Sequence, residues 1–336
     1  MDLLNALVAL TNFVLVPGLA YGSQLALGAL GVTLVYGILR FSNFAHGDTM
    51  AFGAMVTILF TWWFQSMGIN LGPLPTALLA LPLGILATIA IALFTDRTVY
   101  RFYRAQKAKP VIFVMVSLGV MFMMNGLVRF IIGPDDQRFA DGARFLINAR
   151  TFKQMTGLDE GLAIKTTQAI TVITAVIVVA LLFWFLNKTR TGKSMRAYSD
   201  NEDLALLSGI NPERVVMYTW MIVAALATIA GVLYGLDKSF KPFTYFQLLL
   251  PIFASAIVGG LGSPLGAIAG GFIIAFSEVM ITYAWKKVLT YALPESLAPD
   301  GLVQLLSTDY KFAVSFALLV VVLLFKPTGL FKGKAV

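Results

Sequence analysis

Thr167 to Leu186 read TQAITVITAVIVVALLFWFL, a stretch without one charged side chain. At 1.5 Å per residue a helix of this length covers about 30 Å, the thickness of a bilayer's hydrocarbon core. A helix apolar on every face belongs either in lipid or at the centre of a large core, and the rest of the chain decides between them. Of 336 residues 58% are hydrophobic and only 12% charged. A soluble domain carries about 25% charged residues, so this chain has too little polar surface to face water throughout. The stretch predicts a membrane-spanning helix.

Outward from it the pattern repeats. Predicted spans are 19–39, 49–67, 74–94, 111–132, 167–186, 215–236, 245–262, 265–284 and 307–325, the last the shortest in its unbroken apolar run. The expected fold is therefore an all-α polytopic membrane protein with about nine transmembrane helices, a single transmembrane domain over residues 1–336. The first residues, Met1 to Val16, are apolar but lack a basic start, which argues against a signal peptide. Asp2, Asn5 and Asn12 fall on one stripe and Pro17-Gly18 follows, so residues 1–17 predict a short interfacial helix closed at that pair.

Charge sets the orientation. The net charge of +8 is carried by short gaps between spans, without the aromatic-interleaved basic surface of a nucleic-acid binder. The gap 95–110 holds Arg97, Arg101, Arg104, Lys107 and Lys109 against Asp96. The gap 187–214 holds Lys188, Arg190, Lys193, Arg196 and Arg214, and the tail holds Lys326, Lys332 and Lys334. With nine spans and an external N-terminus all three fall in the cytoplasm, as the positive-inside rule requires. The balanced segment 133–166 then forms an external loop, and the C-terminus is cytoplasmic. The chain has no cysteine and one histidine, which excludes disulfides and thiolate metal sites and leaves a membrane enzyme little to work with. No cofactor is expected.

Three stretches carry functional readings. Tyr36 to Asp48 interrupts two spans with two glycines and polar groups. Non-helical backbone at membrane depth survives only where protein or a water-filled cavity satisfies it. Either this is a broken segment lining a pathway, with Asn43, His46 and Asp48 as its polar groups, or it is an ordinary turn in which His46 bonds locally. Within 187–214, Ser199 and Glu202 have capping-box spacing and Gly209 is placed to stop a helix, after which Asn211-Pro212 restarts one. The short helix would present Leu204, Ala205, Leu207 and Ile210 to its own bundle or to a soluble partner. Gly262, Gly266 and Gly270 recur every four residues, as do Ala227, Gly231 and Gly235, and such faces allow close helix packing. Glu278 lies inside the eighth span, where a carboxylate needs a partner or water, so it either pairs structurally or lines a pathway. Asn125 and Arg129 lie one turn apart near the outer end of the fourth. Gly192-Lys193-Ser194 looks like the end of a phosphate loop, but Asn187 stands where its upstream glycine belongs. The chain shows no ATP site of its own.

Taken together the blocks resemble the LivH-type permeases of the branched-chain amino acid ATP-binding-cassette (ABC) importer family. Leu34-Val35-Tyr36-Gly37 with Asn43-Phe44-Ala45-His46-Gly47-Asp48 is similar to that family's N-terminal signature. Arg196 to Asn211 with Arg214-Val215 resembles its cytoplasmic coupling segment. Ala256 to Ser263, with Gly266, Gly270-Gly271 and Glu278, resembles its C-terminal block. The resemblance implies a bacterial inner-membrane transport subunit that is not itself an enzyme. It implies a second, related permease subunit (a heterodimer, or a homodimer of this chain), two cytoplasmic ABC ATPases and an external solute-binding protein. Residues 199–210, with Ser199, Glu202, Leu204, Leu207, Gly209 and Ile210, would then be the coupling helix that seats on an ATPase. Branched-chain or related amino acids are the expected solute, with urea, short amides or aromatic acids as alternatives within the family. A stand-alone secondary transporter or channel is the rival reading, and Glu278 is its best candidate for ion coupling.

Overall fold

In lipid only a helix satisfies all of its own backbone groups, and the apolar runs are helical throughout. The computed structural model describes residues 2–292, 299 and 301–331. In chain order its elements are α1 (Asp2–Leu39), α2 (His46–Ser66), α3 (Ala77–Ala105), α4 (Pro110–Ile132), β1 (Phe145–Ile147), α5 (Ala149–Thr156), β2 (Ile164–Lys165), α6 (Thr166–Lys188), α7 (Arg190–Asp200), α8 (Glu202–Leu207), α9 (Pro212–Lys238), α10 (Pro242–Gly259), α11 (Pro264–Thr282), α12 (Lys286–Ala292) and α13 (Thr308–Phe325). Among the described residues eight of these helices are long and apolar enough to cross a bilayer, namely α1, α3, α4, α6, α9, α10, α11 and α13. The chain is an all-α polytopic membrane protein. α2 has comparable length but hides a polar face, with His46, Asp48, Thr57 and Thr61 all fully buried.

Polar contacts sort the connections into two ends. At one, Asp141 accepts hydrogen bonds from Gln65 and Thr76, Lys165 pairs with Asp237, Asn5 donates to Asp159 and Lys287 pairs with Glu160. This ribbon end holds the antiparallel pair β1–β2. At the other, Arg40 donates to the Ser199 carbonyl, Arg101 pairs with Glu213, and Leu330 N–H bonds to the Val258 carbonyl. This end, called the coupling end after the segment expected to couple there, holds α7 and α8. The basic residues Lys332 and Lys334 lie outside the described residues.

α1 and α9 form the centre of the bundle, and small residues let their neighbours close on them. A Cβ on Gly231 would meet the Met50 carbonyl at 2.5 Å, and one on Gly271 would meet Ala26 N at 2.6 Å. Gly266 and Gly270 lie against the backbone of Gly259 and Ser255, joining α11 to α10, and Gly235 lies against Tyr245 and Phe139. Gly262 departs from the expected packing face. It precedes α11 in a turn with φ 84°, because Ser263 caps the helix and Pro264 begins it, so the small-residue face starts at Gly266.

The expected stop at Pro17-Gly18 is also absent. Helix runs unbroken from Asp2 to Leu39, through a π-turn at Thr11–Leu15 in which Val16 N–H reaches back to Thr11. The wider turn leaves room for the Pro17 ring, which has no N–H to lose. Its 38 residues span about 57 Å at 1.5 Å each, nearly twice a hydrocarbon core. The first turns project beyond that core, where Ala6 and Ala9 pack on Val288 of α12. Residues 133–166 are more than a loop: β1, α5 and β2 fold there and bond to the start of α1 through Asp159, Glu160 and Ala163.

Candidate translocation site and coupling surface

The break between α1 and α2 starts at Arg40, whose φ of 59° closes the helix in a left-handed cap. Several of the groups freed there find a side chain or a local turn, while Asp48 Oδ2 is left without a partner. Asn43 Oδ1 accepts from Ala45 N–H at 3.1 Å and from the Tyr100 hydroxyl at 3.3 Å. Phe44 N–H donates to Ser117 Oγ at 3.1 Å, and His46 N–H to the Asn43 carbonyl. Protein thus satisfies part of the irregular backbone here, as depth in a membrane demands. Gly31 makes room for the His46 ring, since a Cβ there would stand 2.4 Å from the imidazole. Asp48 accepts from Asn125 Nδ2 at 2.6 Å, and Arg129 lies over the Phe243 ring at 5.8 Å.

Asn43, His46 and Asp48 therefore sit close together, each wholly inside the packing. Asn43 and His46 border a cavity of about 20 Å³ with Thr95, Tyr100 and Trp220, room for about one water. A solute larger than water enters only if these helices separate. Glu278 belongs to a different cluster: Ser315 of α13 donates to it, and Tyr21 and Lys311 lie beside it. It shares no hydrogen-bond partner with the α2 group among the described residues.

From the break a run of contacts leads to the coupling end. The Tyr100 ring stacks on Trp220 at 5.1 Å, and Trp220 Nε1–H donates to Asp96 Oδ1 at 2.7 Å. Asp96 also receives both Arg104 nitrogens, at 2.5 and 3.0 Å, and Arg104 approaches Glu213 at 3.9 Å. Sequence reasoning missed this run, registering Asp96 only as the single acid among five basic residues. Its buried acceptor role depends on Trp220, far away in sequence.

The coupling segment is built differently from its expected capping box. Ser199 lies in the last turn of α7, a helix that occupies the first half of the segment 187–214. The Ser199 hydroxyl donates to the Gly37 carbonyl at 2.9 Å, while Arg40 Nη2 donates to the Ser199 carbonyl at 2.6 Å. Asn201 caps α8 instead, its side chain accepting from Leu204 N–H. Glu202 receives the Tyr198 hydroxyl at 2.6 Å, and burial together with the Glu202 carboxylate pushes the Tyr198 phenol above its ordinary value. Gly209, at φ 81°, ends α8, and Asn211 caps α9. On this clamped helix Ala205 is buried and Leu204 and Leu207 stand 60% and 85% exposed, and Ile210, just beyond its end, is half-buried.

Residues 14–323 match the model of a family described as branched-chain amino acid transport system / permease component. The high-affinity branched-chain amino acid transport system permease protein LivH of Escherichia coli is 32% identical over 93% of this chain and 92% of its own. BraD of Pseudomonas aeruginosa, a permease protein of the same description, is 29% identical over 94% of each chain. A probable branched-chain amino acid transport permease of Methanocaldococcus jannaschii is 27% identical over 81% of each.

Proposed function

Because the chain belongs to the branched-chain amino acid transport permease family, and is a multi-pass inner-membrane protein, we propose that it is the solute-conducting subunit of an ABC importer for branched-chain or related amino acids. Urea, short amides and aromatic acids are the narrower alternatives for its solute. The ribbon end faces outward, toward a solute-binding protein, and the coupling end faces the cytoplasm, where two ATPases bind. A second permease, related or identical, completes the path between them. In this topology α2 is the ninth span.

The observation that carries the reading is the exposed pair Leu204 and Leu207 on α8. Two large aliphatic side chains on a short, doubly capped helix, bordered by basic gaps, suit docking on a soluble subunit. Motion of that helix has a direct route inward. Ser199 holds the Gly37 carbonyl and is itself held by Arg40, so a displacement of α7 pulls on the last turn of α1, next to the break. Asn43, His46 and Asp48 then act as the packing that must part for solute to pass, with Glu278 bracing α11 against α13 farther along the route. ATP bound by the partners supplies the difference in stability between outward- and inward-open states, since a ligand shifts an equilibrium only by its differential affinity.

The test is affinity purification of the tagged chain from native membranes in mild detergent. The expected result is recovery of two ATPases and a second permease from wild type, and their loss from Leu204→Asp. The fold should survive, because exposed substitutions of this kind change stability by about 0.5 kcal/mol or less. A chain that purifies alone, folded and active in gradient-driven uptake, would defeat the importer reading and make Glu278 the residue to examine as an ion-coupling group.

A further inference from the structure

At the coupling end a cavity of about 470 Å³ opens between the last turns of α1, the end of α6, α7 and the turn joining α10 to α11. That volume falls in the range of about 300–1,000 Å³ typical of ligand sites. One wall is apolar, formed by Leu34, Ile38, Phe183 and Met195. Another carries Arg196 and Asp200, one turn apart on α7. They stand in the less favourable order for a helical pair, and neither joins an ion pair among the described residues.

The third observation is Thr33. Buried hydroxyls within these helices normally turn back to the carbonyl four residues earlier, as Thr57, Thr61, Thr88, Thr219, Thr228 and Ser255 do. Thr33 is 1% exposed, lines this cavity, and its oxygen has no partner. A buried hydroxyl left unsatisfied is costly; the Thr33 oxygen has almost no accessible surface as it stands, so a polar ligand in the cavity satisfies it only by drawing the side chain round. A cation and an anion one turn apart, a spare hydroxyl and an aliphatic wall together describe the complement of a zwitterion with an apolar side chain.

We propose that this cavity is a second, weak binding site for the transported amino acid itself, beside the coupling segment. The carboxylate meets Arg196, the ammonium meets Asp200 and Thr33 Oγ1, and the side chain lies on Leu34, Ile38 and Met195. The proposal rests on the amino-acid solute of the preceding section. Because α7 both lines the cavity and grips Gly37, occupancy and the position of the coupling segment are linked, and each biases the other by the same factor.

The cysteine-free chain permits a direct test in the full complex, reconstituted in nanodiscs so that both faces are open to reagent. Ser263→Cys places one thiol at the cavity and Lys193→Cys places one on α7 outside its lining. Maleimide labelling is timed with and without millimolar L-leucine. The expected result is that leucine slows Ser263→Cys by about fivefold or more and leaves Lys193→Cys unchanged. Adding Thr33→Val should raise the leucine concentration for half-protection about threefold to tenfold, the worth of one hydrogen bond. Equal labelling of Ser263→Cys with leucine present overturns the site. So does slowing of both thiols together, or a Ser263→Cys that is unreactive before leucine is added because lipid or a partner fills the space. Leucine uptake by the same complex, measured in parallel in vesicles, separates the two failures: uptake without protection sinks the site alone, and no uptake sinks the amino-acid reading with it.

Discussion

The carboxylate of Asp141 joins two connections that are distant in sequence. One oxygen accepts the Thr76 N–H at 2.7 Å and the other the Gln65 amide at 2.9 Å. Burial alone would raise its pKa, but the hydrogen bonds from Thr76 and Gln65 outweigh it and hold the carboxyl below the usual range. A group depressed on folding stabilises the native state fully above its unfolded pKa, near 3.9 for Asp, and loses that contribution as pH falls through the lower folded value. Hydrogen-exchange protection of the Thr76 amide should therefore fall in acid, below about pH 4. Asp141→Asn should show the weakened protection already at neutral pH, with no acid step. The expected loss is about 0.5–1 kcal/mol, since the group is only partly buried and remains open to solvent screening. Full protection at Thr76 in that variant would mean the clamp does not hold the connection. In the sequence Asp141 is one of five acids in a balanced gap, and nothing there distinguishes it from Asp135 or Asp136. Its donors come from two other connections, which only the fold brings within reach.

At the scale of the element, the small residues of α9 and α11 set how closely the bundle closes. Gly231 faces the Met50 carbonyl and Gly270 the Ser255 carbonyl, where a Cβ would stand at 2.5 and 2.0 Å. Neither obstruction is the end of a flexible side chain, so the helices themselves must shift. Gly270→Val should cost about 1–3 kcal/mol and lower the thermal midpoint of the detergent-purified protein, with Gly231→Val next. Gly119, with open space around it, is the control, and Gly119→Ala should leave the midpoint unchanged or raise it. Equal midpoints for all three would show that these faces do not bear on packing. The four-residue repeat of glycines made this face legible in the sequence, because a helix repeats its face at that spacing whatever it packs against. Gly262 fits the same repeat and yet lies in a turn. Periodicity does not say where a helix begins, and the local stop signal, Ser263-Pro264, outranks it. Pro17 fails in the opposite sense: a proline normally ends a helix, but a π-turn just before it absorbs the ring, and π-turns leave no pattern in composition. The exposed leucines of α8 were legible for a related reason, since a helix too short to bury all its apolar residues leaves some outside. The cap at Asn201 was not, because Ser199 has a competing acceptor in Gly37, a residue of another helix.

For the whole molecule, the decisive distribution is that of charge between the two ends. Lys188, Arg190, Lys193, Arg196 and Arg214 sit around α7 and α8, and Arg101 and Arg104 lie near the same end through the pairs with Asp96 and Glu213, with Arg97 on the same cleft. The segment around the ribbon balances its basic residues with acids. Lys and Arg flanking spans are retained on the cytoplasmic side, so the coupling end is expected inside and the ribbon end outside. This gives the test its sign. In intact cells a membrane-impermeant maleimide should label Thr156→Cys on α5 and leave Lys193→Cys on α7 unlabelled until the membrane is permeabilised. Both positions are outside the spans, and Thr156 is exposed, so neither substitution disturbs the bundle. The reverse labelling pattern would turn the protein over. It would put α8 and its leucines outside, where no ATPase could reach them, and the importer assignment would lose its coupling surface together with its orientation.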